Sequence, residues 1–541
     1  MMICIPEQKV EHRAHSRYSM LTQPLLVLAS IVLATVCSSV VAAGEKAAAT
    51  GPLRPSVSNP RYFTDGSQKA IYLTGSHTWA NLQEMGTIDP PPKFDFSSYV
   101  KFMETHGHNF MRMWAWEQAR WVPWTTSDVY VNPLPYIREG PDLALDGKAK
   151  FNLEKFNQKY FDRLRARVIE AGEHGIYVSI MLFNGWSVEP FEDSNLLGNP
   201  WRGHPFHREN NINGINGDVN GDDQGQETHT LSKDPHLVAV RLFQEAYIRK
   251  IVDTVNDLHN VLYEVGNEVV DTSTQWQYHM IRYIKEYEAS KPYQHPVAMT
   301  YQGSQSPGEP TNSALLNSPA DWISPGQIAV RGAPLNYQYR TNPPASDGKK
   351  VVLSDTDHLW GIGGDHTWVW KSFLRGLNPI FMDPWEPIPE TADPKNNKNF
   401  HEWALLRTAM GDTLRYANRM DLAALNPRGD LSSTGYCLGN PGMEYLVYLP
   451  SDGHVGVNWF DRLHLHGWMN WFSQIMGWSQ TVSVDLSESS KAFHVEWFNP
   501  RTGETISGGV TVGGGRQSFT APFSADAVLY LAADSSTHEA P

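Results

Sequence analysis

Residues 261–270, "VLYEVGNEVV", set two carboxylates, Glu264 and Glu268, and the amide of Asn267 against a short hydrophobic run. An apolar run of this length bounded by polar residues reads as a strand buried on both faces. Outward from it the same kind of run recurs: "AIYLTG" (70–75), "NFMRMW" (109–114), "IYVSIML" (176–182), "VAMT" (297–300), "DWIS" (321–324), "VVLS" (351–354) and "PIFM" (379–382). Between most of them lie stretches of helical length, such as 152–175 and 235–260, with Leu, Phe, Val and Ile every three or four residues. Buried strands alternating with helices predict an α/β fold, a (β/α)8 TIM barrel over about residues 51–425. The sixth strand is weak and residues 325–350 hold no convincing helix, which leaves a doubly wound sheet as the alternative.

Two stretches depart from this rhythm. Residues 187–234, rich in Asn, Gly and Asp, follow the third strand, where a barrel carries its active-face loops, and read as a long solvated lid or rim. Within them "DVNGDDQGQE" (218–227) begins like a calcium loop with Asp218, Asn220 and Asp222. Asp223 holds the tight-turn position in place of glycine and no glutamate falls twelve along, so no metal is expected. Over residues 436–535, "EYLVYLP", "TVSVDLS", "AFHVEWFNPRTGETI", "GGVTVGGGRQSFTAPF" and "DAVLYLA" are short alternating runs divided by Gly, Pro, Asn and Ser turns. They predict a small antiparallel β-sandwich domain. The aromatic stretch 457–478 has neither period and reads as a packed insertion or an exposed platform.

Composition bounds the function. A chain of 541 residues, 41% apolar and with 19 tryptophans, can build a large folded core. Its formal charge of -14 includes no basic run to displace the counterions of a nucleic acid, so no nucleic-acid partner is expected. The apolar run "MLTQPLLVLASIVLATVCSSVVAAG" (20–44), behind His15 and Arg17, reads as a signal peptide ending near Ala43. Residues 1–43 are thus an expected leader and the protein is expected to be secreted or periplasmic, with an uncleaved anchor as the alternative and no other membrane contact. Cleavage there leaves Cys437 as the one cysteine, so neither a disulfide framework nor a cysteine-held metal is expected, and no cofactor.

In a barrel the C-terminal strand ends open into the active-site mouth. There the fourth strand offers Glu268 and Asn267, with Glu264 deeper, and the seventh, "VVLSDTDHLWG", offers Asp355, Asp357 and His358. Strand residues alternate in direction, so Asp355 and Asp357 share a face if the chain stays extended. Two carboxyl groups across a gap, one protonated and one ionised, are the minimum equipment for cleaving an acetal. The expected catalytic set is Glu268 with Asp355 or Asp357, and the shorter reach of Asp favours the wider, inverting gap. Glu268 as a helix cap and Arg112 as a purely structural ion-pair partner are the competing readings. Arg112 is suited to holding a carboxylate ionised, and Glu264 to bracing that arginine. His77, Trp79, Trp116, Glu117, Asn184, Trp186, Trp360, Asp383 and Trp385 follow other strand ends, where indole faces stack on sugar C–H surfaces and Asn, Asp or His hold hydroxyls.

"YEVGNE" resembles the Asn-Glu signature on strand four of the cellulase-like clan of (β/α)8 glycoside hydrolases, and "FMRMW" is similar to the clan's strand-two segment. The resemblance implies that Glu268 is the general acid/base, that Asn267 orients a substrate hydroxyl and that Arg112 supports the nucleophile. "KKVVLSDTDHLWG" stands where the clan has its strand-seven nucleophile, usually a Glu; Asp355 occupies that place here and Asp357 is its neighbour. The opening "GPLRPSVSNPRYFTDGSQKAIYLTGSHTW" looks like the start of DUF-type apiosidase/cellulase-like hydrolases with a collagen-binding-like C-terminal β domain, which "VEWFNPRTGE" and "FTAPFSADAVLYL" resemble. Together these imply a secreted O-glycosyl hydrolase acting on a plant, algal or microbial polysaccharide or its oligosaccharides. A carbohydrate-binding or adhesion protein on a degenerate barrel and a polysaccharide lyase are the alternatives. Only the hydrolase requires Glu268 to face Asp355 or Asp357 across an open pocket.

Overall fold

A computed structural model of the chain describes residues 48–189, 198–303, 311–326, 338–385, 403–451 and 480–534. The expected leader and the aromatic stretch 457–478 lie outside the described residues. Eight strands, β1 (Gly75–His77), β2 (Phe110–Met113), β3 (Tyr177–Asn184), β4 (Val261–Asn267), β5 (Val297–Thr300), β6 (Trp322–Ser324), β7 (Val351–Asp355) and β8 (Asn378–Met382), form one sheet. Neighbours from β2 to β8 pair in parallel in chain order, and β8 pairs in parallel with β1. Asn109 draws β1 and β2 together: its backbone N–H donates to Thr74 O at 3.0 Å and its Oδ1 accepts the Thr74 N–H at 2.9 Å. The result is a near-closed parallel barrel, not a doubly wound sheet.

A helix follows each strand: α1 (Phe96–Thr105), α2 (Gln158–Glu173), α3 (Pro235–Val255), α4 (Thr274–Glu288), α5 (Thr311–Asn317), α6 (Gln338–Thr341), α7 (His366–Leu374) and α8 (Ala404–Arg419). Asp95, Asp234 and Asp365 cap the starts of α1, α3 and α7. Before α3, the Asp234 side chain accepts the His236 N–H, and Pro235 in the first turn has no donor to leave unpaired. The helix expected over 152–175 begins only at Gln158. The residues before it pair with Tyr136–Leu143 as the hairpin strand Ala149–Phe156, which turns at Gly147 with a φ of 81°.

Inside the barrel Leu73, Phe110, Leu262, Trp322, Leu353 and Ile380 belong to one buried apolar cluster. Side chains two residues further along a strand lie on the same face. By that period Phe110 leads to Arg112, Leu262 to Glu264 and Leu353 to Asp355, so a layer of charge lies over the apolar floor on the C-terminal side.

Beyond α8 the chain forms an antiparallel β region with strands β9 (Cys437–Asn440), β10 (Glu444–Leu449), β11 (Thr481–Asp485), β12 (Ala492–Phe498), β13 (Thr505–Val512), β14 (Arg516–Thr520) and β15 (Ala527–Ala533). β11 pairs with β14, and the others join the short strand Asn426–Pro427 in a six-stranded sheet in which β10 and β15 are central neighbours. Tyr445, Val447 and Leu449 share a core with Val482, Val484 and Phe519, whereas Leu446 and Tyr448 pack with Trp370, Phe373 and Met410 of α7 and α8. β10 is therefore buried on both faces, and the half-solvated alternation expected from its sequence does not hold there, because the barrel supplies the second partner. At this seam Asp526 accepts from His366 Nε2 (2.6 Å), Arg501 Nε (2.7 Å) and Tyr448 Oη (2.9 Å).

Candidate active site

Arg112 is 1% exposed and organises the mouth of the barrel. A guanidinium has five N–H donors in a planar fork and no acceptor. All five are used. Nε and Nη2 donate to the Glu264 carboxylate at 2.7 and 2.5 Å, Nη2 also to Asn267 Oδ1 at 2.5 Å, and Nη1 to Asp355 Oδ2 at 3.1 Å and Asp357 Oδ2 at 2.8 Å. Because arginine only donates, these contacts fix the Asn267 amide with its oxygen on Arg112. His358 Nε2 reaches the same oxygen at 3.1 Å, which makes that nitrogen the donor and leaves Nδ1 to accept from Ser324 Oγ at 2.8 Å. The Asn267 amide nitrogen then points towards Asn184 Oδ1, 3.5 Å away.

The two aspartates have different surroundings. Asp355 is fully buried, and its Oδ1 takes His77 Nε2 at 3.0 Å and the Asp357 backbone N–H at 2.9 Å. Burial opposes its ionisation, but His77 and Arg112 outweigh burial and hold its carboxyl well below the usual aspartate range. Asp357 is not on extended chain, as a shared strand face would require: hydrogen bonds from Leu359, Trp360 and Gly361 to Thr356 O wind the backbone into a turn. Both aspartates still converge on Arg112 Nη1. Burial pushes Asp357 up to about 6 against the pull of Arg112.

Glu268 lies just past β4 with Trp186 Nε1 donating to its Oε2 at 2.5 Å. Oxygens of Glu268 and Asp357 and a ring nitrogen of His358 all lie within 4.8 Å of one another. Burial first and the Asp357 charge second push the Glu268 carboxyl up to about 8. Three carboxyl groups thus share one guanidinium with Glu268 beside them, and Asp357 and Glu268 are driven towards the neutral form.

The remaining expected residues divide into three groups. His77 is buried, accepting Trp114 Nε1 at 2.7 Å on Nδ1, and Glu117 Oε2 accepts the Asn184 N–H at 2.9 Å, so both sit behind the site. Trp116 is buried with its Nε1 on Trp79 O, whereas Trp79 and Trp186 are partly exposed. Trp124 lies between those two, with ring centroids 4.8 Å from Trp79 and 6.1 Å from Trp186. It escaped the sequence reading because it belongs to a loop that no strand period locates. Asp383, Trp360 and Trp385 are not drawn to the carboxyl pair by the contacts they make. Asp383 forms a buried pair with Arg407 at 2.5 Å, Trp360 packs edge-on to Trp368, and Trp385 packs on Phe94, Tyr99 and Phe102.

Among the described residues two clusters have metal-ligand spacing. In Glu268, Asp357 and His358, the imidazole has Asn267 Oδ1 3.1 Å from Nε2 and Ser324 Oγ 2.8 Å from Nδ1. In the other, Asp218, Asp222 and Glu227, the Asp218 carboxylate accepts the backbone N–H groups of Gly221, Asp222 and Asp223. Asp223 adopts a φ of 62° in the tight-turn position.

Residues 108–304 match the model of a family described as a domain of unknown function, DUF6298, and no curated protein sequence matches. Among solved structures, one described as a glycoside hydrolase aligns with a TM-score of 0.52 at 13% identity, covering 90% of this chain and 98% of its own. A glycoside hydrolase family 5 protein from Bacteroides vulgatus ATCC 8482 aligns with a TM-score of 0.54 at 12% identity, covering 91% and 96%. At these identities the likeness is one of overall fold, over about nine-tenths of this chain.

Proposed function

We propose that the chain is a retaining glycoside hydrolase in which Glu268 is the general acid/base and Asp357 the nucleophile. The observation that carries this reading is that an oxygen of each of the two carboxyl groups lies within 4.8 Å of the other at the barrel mouth. Direct attack on carbon needs a gap of about 5–5.5 Å, whereas an inverting enzyme needs about 6.5–9.5 Å to seat a water. The spacing supports retention over the inversion favoured by the short reach of Asp.

Near pH 7, Asp357, raised to about 6, is mostly ionised, and Glu268, raised to about 8, is mostly protonated. Asp357 attacks the anomeric carbon, the bond to the leaving oxygen breaks, and Glu268 transfers its proton to that oxygen. Water then gives a proton to the Glu268 carboxylate while its oxygen bonds to the anomeric carbon. The bond from that carbon to Asp357 breaks, and both groups return to their starting state. Asp355, with its oxygens held by His77, Arg112 and the Asp357 N–H, is the support on which Asp357 sits. Asn267, fully buried, orders Arg112 and His358 through its amide oxygen, and Trp79, Trp124 and Trp186 offer aromatic surface.

On this reading residues 51–425 are the catalytic unit, 436–535 its β domain and 1–43 a leader directing the enzyme to a polysaccharide or oligosaccharide outside the cytoplasm. The test is a polysaccharide and aryl-glycoside panel with Glu268→Gln as control, followed by NMR assignment of the first-formed product anomer. Retained configuration and a 2-fluoro-glycosyl adduct on Asp357 are expected. An inverted product, or an adduct on Asp355, refutes the assignment.

A further inference from the structure

Glu268 has a φ of 46°, in the left-handed region that residues with a Cβ rarely adopt and that persists only where the surroundings over-determine it. Two glycines from separate loops supply those surroundings. A Cβ on Gly185, directly after β3, would stand 2.4 Å from the Glu268 carbonyl oxygen, and one on Gly303, just past β5, would stand 3.0 Å from the same atom. Ordinary contact begins at 3.4 Å. Gly185 also opens the short turn Gly185–Ser187, whose Trp186 donates to the Glu268 carboxyl at 2.5 Å. Glu117 ties that turn down, accepting the Asn184 N–H at 2.9 Å and donating its own N–H to Ser187 Oγ at 3.2 Å. One turn therefore holds Glu268 at its carbonyl and at its carboxyl.

From this geometry we infer that Gly185 and Gly303 are positioning residues for the acid. They form a slot for the Glu268 carbonyl, which admits its left-handed backbone and sets how close its carboxyl comes to Asp357. Such a role presupposes Glu268 as the acid. Gly185→Ala forces a shift of about 1 Å to restore ordinary contact, and a misplacement of that size costs about 100-fold in rate. Gly303→Ala needs only a few tenths of an ångström and costs less.

Leaving-group dependence separates positioning from general damage. An alkyl glycoside or oligosaccharide needs the acid's proton, whereas an aryl glycoside with a dinitrophenolate leaving group does not. In Gly185→Ala, kcat/KM, which reports the first step and not the later base-assisted one, is expected to fall about 100-fold on the first substrate and less than about 5-fold on the second. Gly303→Ala follows the same pattern with a loss under about 10-fold and carries the comparison if Gly185→Ala is insoluble. Equal losses on both substrates, or no loss on either, overturn the inference. A crystal structure of Gly185→Ala is expected to show the Glu268 carbonyl displaced by about 1 Å, and an unmoved carbonyl overturns the slot. Displacement in a protein whose native form cleaves no glycoside overturns the enzymatic reading instead, so the two failures are distinguishable.

Discussion

Replacing Asp357 by Asn keeps the shape of the side chain and its acceptor for Arg112 while removing one negative charge beside Glu268. In the native chain burial and that charge together push Glu268 up to about 8. With the nearest oxygens no more than 4.8 Å apart, an effective dielectric of about 20 gives a repulsion of about 3.5 kcal/mol, or about 2.5 pKa units. The charges are centred behind those nearest oxygens, so the expected fall is about 1–2 units, and burial keeps Glu268 above the ordinary glutamate value. The assay is a 13C NMR titration of the full chain labelled at glutamate Cδ, with Glu268→Gln identifying the resonance. In the native protein the pair titrates as two coupled steps, and Asp357→Asn should leave one step at lower pH. A Glu268 midpoint unmoved by the substitution would show that the two carboxyl groups do not feel one another, and the proposed acid–nucleophile pair would fall with it.

Three further outcomes follow from the same geometry. Glu268 has a folded pKa above its unfolded value, so the folded state binds more protons between the two, and stability present at low pH is lost as pH rises through about 8. Glu268→Gln should therefore raise Tm at pH 9 and leave it nearly unchanged at pH 4 by calorimetry; equal shifts at both would refute the raised pKa. Asp355→Asn takes one partner from the buried contacts with His77 and Arg112 and should cost about 3–5 kcal/mol in urea unfolding, whereas Asp357→Asn, removing a charge that burial already disfavours, should cost less than half as much. The reverse order would make Asp357 the structural aspartate. Arg112→Lys substitutes a point charge with three donors for a fork with five and should destabilise the fold by several kcal/mol while abolishing turnover; a stable, active lysine variant would remove Arg112 as the organiser of the site.

Strand existence was legible because apolar runs of four to eight residues bounded by polar ones have few other uses, and the eight expected runs overlap or abut the eight barrel strands. The sequence also offered Arg112 as the holder of a carboxylate and Glu264 as the brace of that arginine, and the two are hydrogen-bonded in the barrel. Less was legible where contacts distant in sequence override local pattern. The hairpin at Ala149–Phe156 carries apolar spacing compatible with a helix and is decided by its partner strand. Trp116, expected at the rim, is packed into the core by Trp114 and Trp124.

By itself the sequence determined the succession of strands and helices, the β region after it and the placing of a glutamate and two aspartates at or just past strand ends, since each depends on local periodicity and chain order. The barrel over a doubly wound sheet was decided only when β8 paired with β1. Tertiary structure alone decided which aspartate faces Glu268. The β7 strand stops at Asp355, the Asp357 N–H folds back onto the Asp355 carboxylate, and barrel closure draws Arg112 from β2 against both aspartates. Ionisation follows the same division: carboxyl groups of one chemical type in the sequence are separated by how many donors the closed barrel brings to each, and that number exists only once strands far apart along the chain have met.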